Sequence, residues 1–97
     1  MQVRRKIVRE EGFLAALAES GMTTGDPRVE AAEWYIQHGA RHHDARVVAE
    51  TSDHGPLWCY RTREIGRMVP ITVYFYFRDG GQTACIVGMM SQAASPG

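Results

Sequence analysis

Apolar side chains recur at helical spacing through the first half of the chain and alternate with polar ones through the second. The change falls after Asp44. Phe13, Leu14, Leu17 and Ala18 form one stripe, which predicts a helix over residues 10–20. Glu10 and Glu11 suit its positive end, and Gly21 is a natural residue to follow its last turn. Asp26-Pro27 opens a second helix. The aspartate can accept from free backbone N–H groups, and proline loses nothing at a first helical position. Val29, Ala32, Ile36 and Ala40 give its buried stripe, Trp34 and Tyr35 flank it, and Gly39 ends it.

Beyond Asp44, Arg46 and Val48 face away from Val47 and Ala49 in a short strand, and residues 52–56 (SDHGP) make a turn. Residues 57–64 form the next strand. Leu57, Cys59, Arg61 and Arg63 share one face, with Trp58, Tyr60, Thr62 and Glu64 on the other. After a turn at Ile65-Gly66-Arg67, residues 68–77 (MVPITVYFYF) are the densest β-former run of the chain. Val69, Ile71, Val73, Phe75 and Phe77 oppose Thr72, Tyr74 and Tyr76, and Pro70 marks an end unpaired on one side. Arg78-Asp79-Gly80-Gly81 is a hairpin loop, and residues 82–90 return as the last strand. Residues 2–9 alternate like an edge strand with a charged outer face, although Val3 and Ile7 also suit an early helical turn. The small polar stretch 92–97 reads as a disordered tail. The fold class is α+β: two N-terminal helices packed on one face of a three- to five-stranded antiparallel β-meander. Ninety-seven residues form a single domain, 1–97.

Charge changes the picture locally. Eleven Lys and Arg balance eleven Asp and Glu, which makes nucleic acid a partner to consider but not to favour, because phosphate neutralisation dominates such binding. The distribution is uneven: residues 1–11 carry a net of +2, residues 12–50 a net of −3 and residues 51–97 a net of +1. A modestly basic sheet face against an acidic helical layer follows. Cys59 and Cys85 lie in strand-like runs without metal-ligand spacing and read as buried, reduced hydrophobes. No run approaches the roughly 20 apolar residues of a membrane span, no secretory pattern opens the chain, and a cytoplasmic location is expected.

Three groups of side chains could carry chemistry. His38 and His42 are four apart, the spacing that sets two imidazoles on one helical face for a metal, but Gly39 lies between them. The plainer reading of these histidines is exposure near a helix C-terminus. Arg61, Arg63 and Arg67 could contact an anion or RNA with interleaved aromatics, or pair with helix acids such as Glu30 or Glu33 at the margin of the core. Trp58, Tyr60, Tyr74 and Tyr76 could neighbour one another on an outward aromatic sheet face, a surface for a ligand or for self-association. No triad order, phosphate-cradling loop or HExxH is present, and Asp53-His54 reads as a turn, so no catalytic residue and no cofactor are assigned. Enzyme activity is left undecided by the sequence.

The order strand–helix–helix–strands, with YRTREIGRMVPITVYFYFRDGG in the sheet, distantly resembles the RelE/HigB class of small ribonuclease toxins over about residues 57–90. The resemblance implies an arginine-bearing meander whose basic or aromatic residues handle RNA. The chain differs from that class in its neutral charge and in ending its last strand on Gly88-Met89-Met90-Ser91. The expectation from the residues themselves is a small binding domain, homodimeric, using the aromatic face for a ligand or a second copy. A RelE-like RNA-binding or RNA-cleaving protein is the alternative, using Arg61, Arg63, Arg67 and Tyr74.

Overall fold

The computed structural model describes residues 4–39 and 45–91. The elements are β1 (Lys6–Arg9), α1 (Glu11–Glu19), α2 (Pro27–Gly39), β2 (Ala45–Thr51), β3 (Gly55–Arg61), β4 (Ile71–Arg78) and β5 (Thr83–Ser91), with a single 3-10 turn at Asp79–Gly81. The sheet order is β1-β5-β4-β3-β2. Strands β2 to β5 form the expected antiparallel meander. The sheet as a whole is mixed, because β1 lies parallel to β5. This corrects the all-antiparallel expectation. A strand that departs through two helices to the far edge can return beside its start in the same direction, and four consecutive hairpin-linked strands bring it back that way.

Local chemistry sets the helix ends as expected. Asp26 Oδ1 accepts from the Arg28 backbone N–H at 2.8 Å, the first-turn cap the sequence called for. At the end of α1, Gly21 takes φ 70° while its N–H donates to Ala18 O and the Met22 N–H donates to Leu17 O. That is a Schellman closure, and its hydrophobic partner Met22 is buried in the core. Gly12 has a different role: a Cβ there would lie 2.9 Å from the Val87 carbonyl oxygen, so the start of α1 approaches β5 more closely than any side chain allows. Val87 is the extra residue of a bulge in β5, between the pairs Tyr74–Gly88 and Phe75–Ile86.

One core joins helices and sheet. Phe13 and Leu17 of α1, with Val29, Ala32 and Ile36 of α2, meet Ile71, Val73, Phe75, Ala84, Ile86 and Met89. The alternating face of β4 thus goes where its apolar pattern sends it. Strand β4 starts at Ile71 rather than Met68: residues 62–70 form a loop, in which the buried Thr62 accepts the Ile71 N–H on its hydroxyl at 3.0 Å. Proline at 70 brings no N–H to a ladder, which agrees with the shorter strand. No described helix is long and apolar enough to cross a membrane.

Candidate functional site

Strand alternation and register decide which side chains the face away from the core presents. Phe75 and Val73 point into the core, so Thr72, Tyr74, Tyr76 and Arg78 point the other way. Directly paired residues share a face. Trp58 pairs with Phe75 and Tyr60 with Val73, so both rings belong to the core side. There Tyr60 stacks on Tyr35 of α2 at 4.0 Å, and Trp58 meets Phe77 edge-on at 5.9 Å. The expected surface of Trp58, Tyr60, Tyr74 and Tyr76 therefore does not form. Trp58 and Tyr60 lie on the opposite face from the one expected, because strand parity alone does not fix register between neighbouring strands.

The same register moves Arg61 to the face of Tyr74 and Tyr76. Arg61 pairs with Thr72 and Cys59 with Tyr74, and Arg46 of β2 pairs with Cys59. On the other flank, Lys6 of β1 and Arg78 of β4 both pair with Thr83. Lys6, Arg46, Arg61 and Arg78 are all exposed. Arg63 and Arg67 lie exposed on the loop 62–70 and do not share a strand face with Arg61. Glu33, one of the acids expected to pair with Arg61, takes both guanidinium arms of Arg9, at 2.6 and 2.7 Å.

Seven of the eleven basic residues thus fall into two sets. Arg5, Arg9 and Arg28 serve the fold. Arg5 donates to the carbonyls of Gly81 (2.7 Å) and Ile36 (3.2 Å) and lies over the Phe77 ring. Arg9 is held by Glu33, and Arg28 by Asp26 at 3.0 Å. The bond to Glu33 holds the Arg9 guanidinium above its ordinary pKa, and the bond to Arg28 holds the Asp26 carboxyl below its own. Among the described residues, Lys6, Arg46, Arg61 and Arg78 enter no ion pair.

Between these cations lie the aromatic groups. Tyr74 is half-buried beside Gly88, and its hydroxyl reaches Met90 Sδ at 3.3 Å. Tyr76 is 4% exposed. Its hydroxyl donates to Glu10 Oε2 at 2.7 Å, and the His54 ring stacks on it at 4.1 Å with a 13° tilt. The bond to Glu10, then burial, then neighbouring Cys85 push the Tyr76 hydroxyl well above its ordinary pKa. His54 is placed by the β2–β3 turn, where Thr51 Oγ1 accepts the His54 N–H at 3.0 Å and donates to Gly55 O at 2.9 Å. Three segments distant in sequence converge on one ring.

The metal reading finds half of its pair. The half-buried His38 lies 4.8 Å from the Trp34 ring, and His42 lies outside the described residues. Among the described residues no group of three metal-type ligands assembles. Cys59 and Cys85 are buried free thiols on strands separated by β4. Two strand spacings, about 10 Å, exceed the reach of a disulfide.

Sequence reasoning missed Lys6, Arg46 and Glu10 as members of this surface. Arg78 was within reach of it, since the strand period puts it on the side of Tyr74 and Tyr76. Lys6, Arg46 and Glu10 depend on which strands are neighbours. Together, fold and site define an α+β domain with a basic, aromatic sheet face opposite its core. No family model, curated protein or solved structure matches the chain.

Proposed function

We propose that the protein is a binding domain for single-stranded nucleic acid, with the second sheet face as its recognition surface. The single observation that carries this is the grouping of four unneutralised cations, Lys6, Arg46, Arg61 and Arg78, around Tyr74 and the Tyr76–His54 pair. Cations bind the phosphates, and rings take the bases by stacking, which every base permits. A neutral chain does not argue against this, because binding follows the local field and not the total charge. Two carboxylates that reach this face, Glu10 and Asp79, accept the hydroxyls of Tyr76 and Thr83. The distant resemblance to RNA-handling toxins points the same way.

The test is fluorescence anisotropy of a labelled 12-nucleotide single strand across a salt series. Four phosphates neutralised give a log–log salt slope of about −3, a loss of roughly fiftyfold between 50 and 200 mM salt. Arg46→Ala with Arg61→Ala should weaken binding and flatten that slope by roughly 1.4. No retention at 50 mM salt, or an unchanged slope in the double variant, defeats the reading. RNA and DNA versions of the strand establish whether the 2′-hydroxyl matters.

Self-association is the second reading. Val47 and Val48 are each 43% exposed on β2, an edge strand, and an exposed β-branched edge is a pairing surface. The bulge between Val47 and Ala49 twists that edge and works against long pairing. Light scattering across a concentration series distinguishes monomer from homodimer.

A further inference from the structure

His54 is an exposed turn residue whose ring nevertheless lies parallel on Tyr76 at 4.1 Å. The protein's own imidazole therefore occupies the position over one face of the Tyr76 ring that a stacked base would take, the Tyr76 slot. Beside the slot sits the Glu10 carboxylate, placed by the Tyr76 hydroxyl at 2.7 Å. An ionised carboxylate has about four acceptor sites, and this bond uses one. The imidazole is exposed on a turn whose backbone Thr51 fixes, so rotation of the His54 side chain alone moves it off the ring.

From this we infer that the Tyr76 slot is a base-binding subsite selective for guanine, and that His54 is a placeholder the base displaces. The inference rests on the nucleic-acid reading above and deepens it. A base stacked on Tyr76 would turn an edge towards Glu10. Guanine offers two adjacent donors on its Watson–Crick edge, N1–H and the N2 amino group, which one carboxylate accepts together. Adenine and cytosine each offer a single exocyclic amine there, and uracil a single ring N–H. A site built from acceptors rejects partners that leave it unpaired. Arg78, two residues beyond Tyr76 on β4, and Lys6, two strands away on β1, are placed to take the phosphates that accompany the base.

The experiment compares a 12-nucleotide uridine strand with the same strand carrying one central guanosine, by anisotropy at 100 mM salt, on the full chain. Wild type should bind the guanosine strand at least roughly fivefold more tightly. Glu10→Gln keeps an amide oxygen for the Tyr76 hydroxyl but loses the second acceptor oxygen, so it should bring the ratio of guanosine- to uridine-strand affinity to about one, whatever the lost charge does to both strands alike. His54→Ala removes the competing ring and should tighten guanosine-strand binding roughly three- to tenfold. If the uridine strand binds but guanosine adds nothing, or if His54→Ala weakens binding, the subsite is wrong and the nucleic-acid reading stands. If neither strand binds, that reading fails. Guanosine monophosphate titrated against the Tyr76 and His54 NMR signals then decides the slot alone: saturating shifts absent with adenosine monophosphate support it, and none overturn it.

Discussion

The two faces of the sheet are made from the same strands and treat charge in opposite ways. On the core side, Arg9 meets Glu33, and Arg5 spends its donors on the carbonyls of Gly81 and Ile36. On the other side Lys6, Arg46, Arg61 and Arg78 are left to solvent. Rings divide similarly. Trp58, Tyr60, Phe75 and Phe77 pack among themselves and against the helices, whereas Tyr74 and Tyr76 face outward with His54 as cover. Leaving the cations unpaired around a ring costs little in water and creates an attractive field for anions.

A pair of aromatic truncations should separate the two faces most widely. Phe75 is fully buried. Phe75→Ala should cost about 3–5 kcal/mol, from lost transfer energy and a remaining cavity. Its neighbour Tyr74, on the other face, should cost under about 1.5 kcal/mol as Tyr74→Ala yet weaken binding of single strands. Urea unfolding measures both. Equal losses would mean that the second face is as much a core as the first.

The Gly12 contact gives the next effect. Alanine is normally favoured in a helix by about 1 kcal/mol. Here the added carbon would lie 2.9 Å from backbone, the Val87 oxygen, and neither backbone can yield cheaply. Gly12→Ala should therefore destabilise, by about 1–2 kcal/mol net. A stabilised variant would show that α1 is free to move off β5. In contrast, Arg46→Ala and Arg61→Ala should change stability by no more than about 0.5 kcal/mol each, since both side chains are exposed and enter no ion pair among the described residues.

How much of this was legible beforehand follows from the range of each interaction. The caps at Asp26 and Gly21, the helix stripes and the alternation of Ile71, Val73, Phe75 and Phe77 are local, and each appears where the residues ask for it. Register is not local. Placing Trp58 opposite Phe75 instead of one residue away transfers two aromatics to the core and one arginine to the surface. The bulges at Val48 and Val87 each shift a parity that counting by two assumes constant. The parallel place of β1 beside β5, which brings Lys6 and Glu10 to the site, is a property of topology with no signature in residues 2–9.

The smallest effect probes the paired set of cations through pH. The side-chain bond from Arg28 holds the Asp26 carboxyl below its ordinary value, outweighing burial, which pushes it the other way. A carboxyl depressed in the folded state contributes stability above its unfolded value, near pH 4, and loses it as pH falls through the lower folded value. Asp26→Asn keeps an oxygen for the Arg28 backbone N–H, so the cap survives while the charge goes. The variant should be less stable at pH 7 by no more than about 1 kcal/mol, with the gap closing below pH 4. Thermal unfolding across pH 2–7 reads it directly. A gap that persists at pH 2 would assign the loss to the cap and not to the ion pair. The exposed cations of the second face have no such partner, so Arg61→Gln should leave the shape of the acid limb unchanged, and that contrast is the sharpest separation of the two sets that stability alone can give.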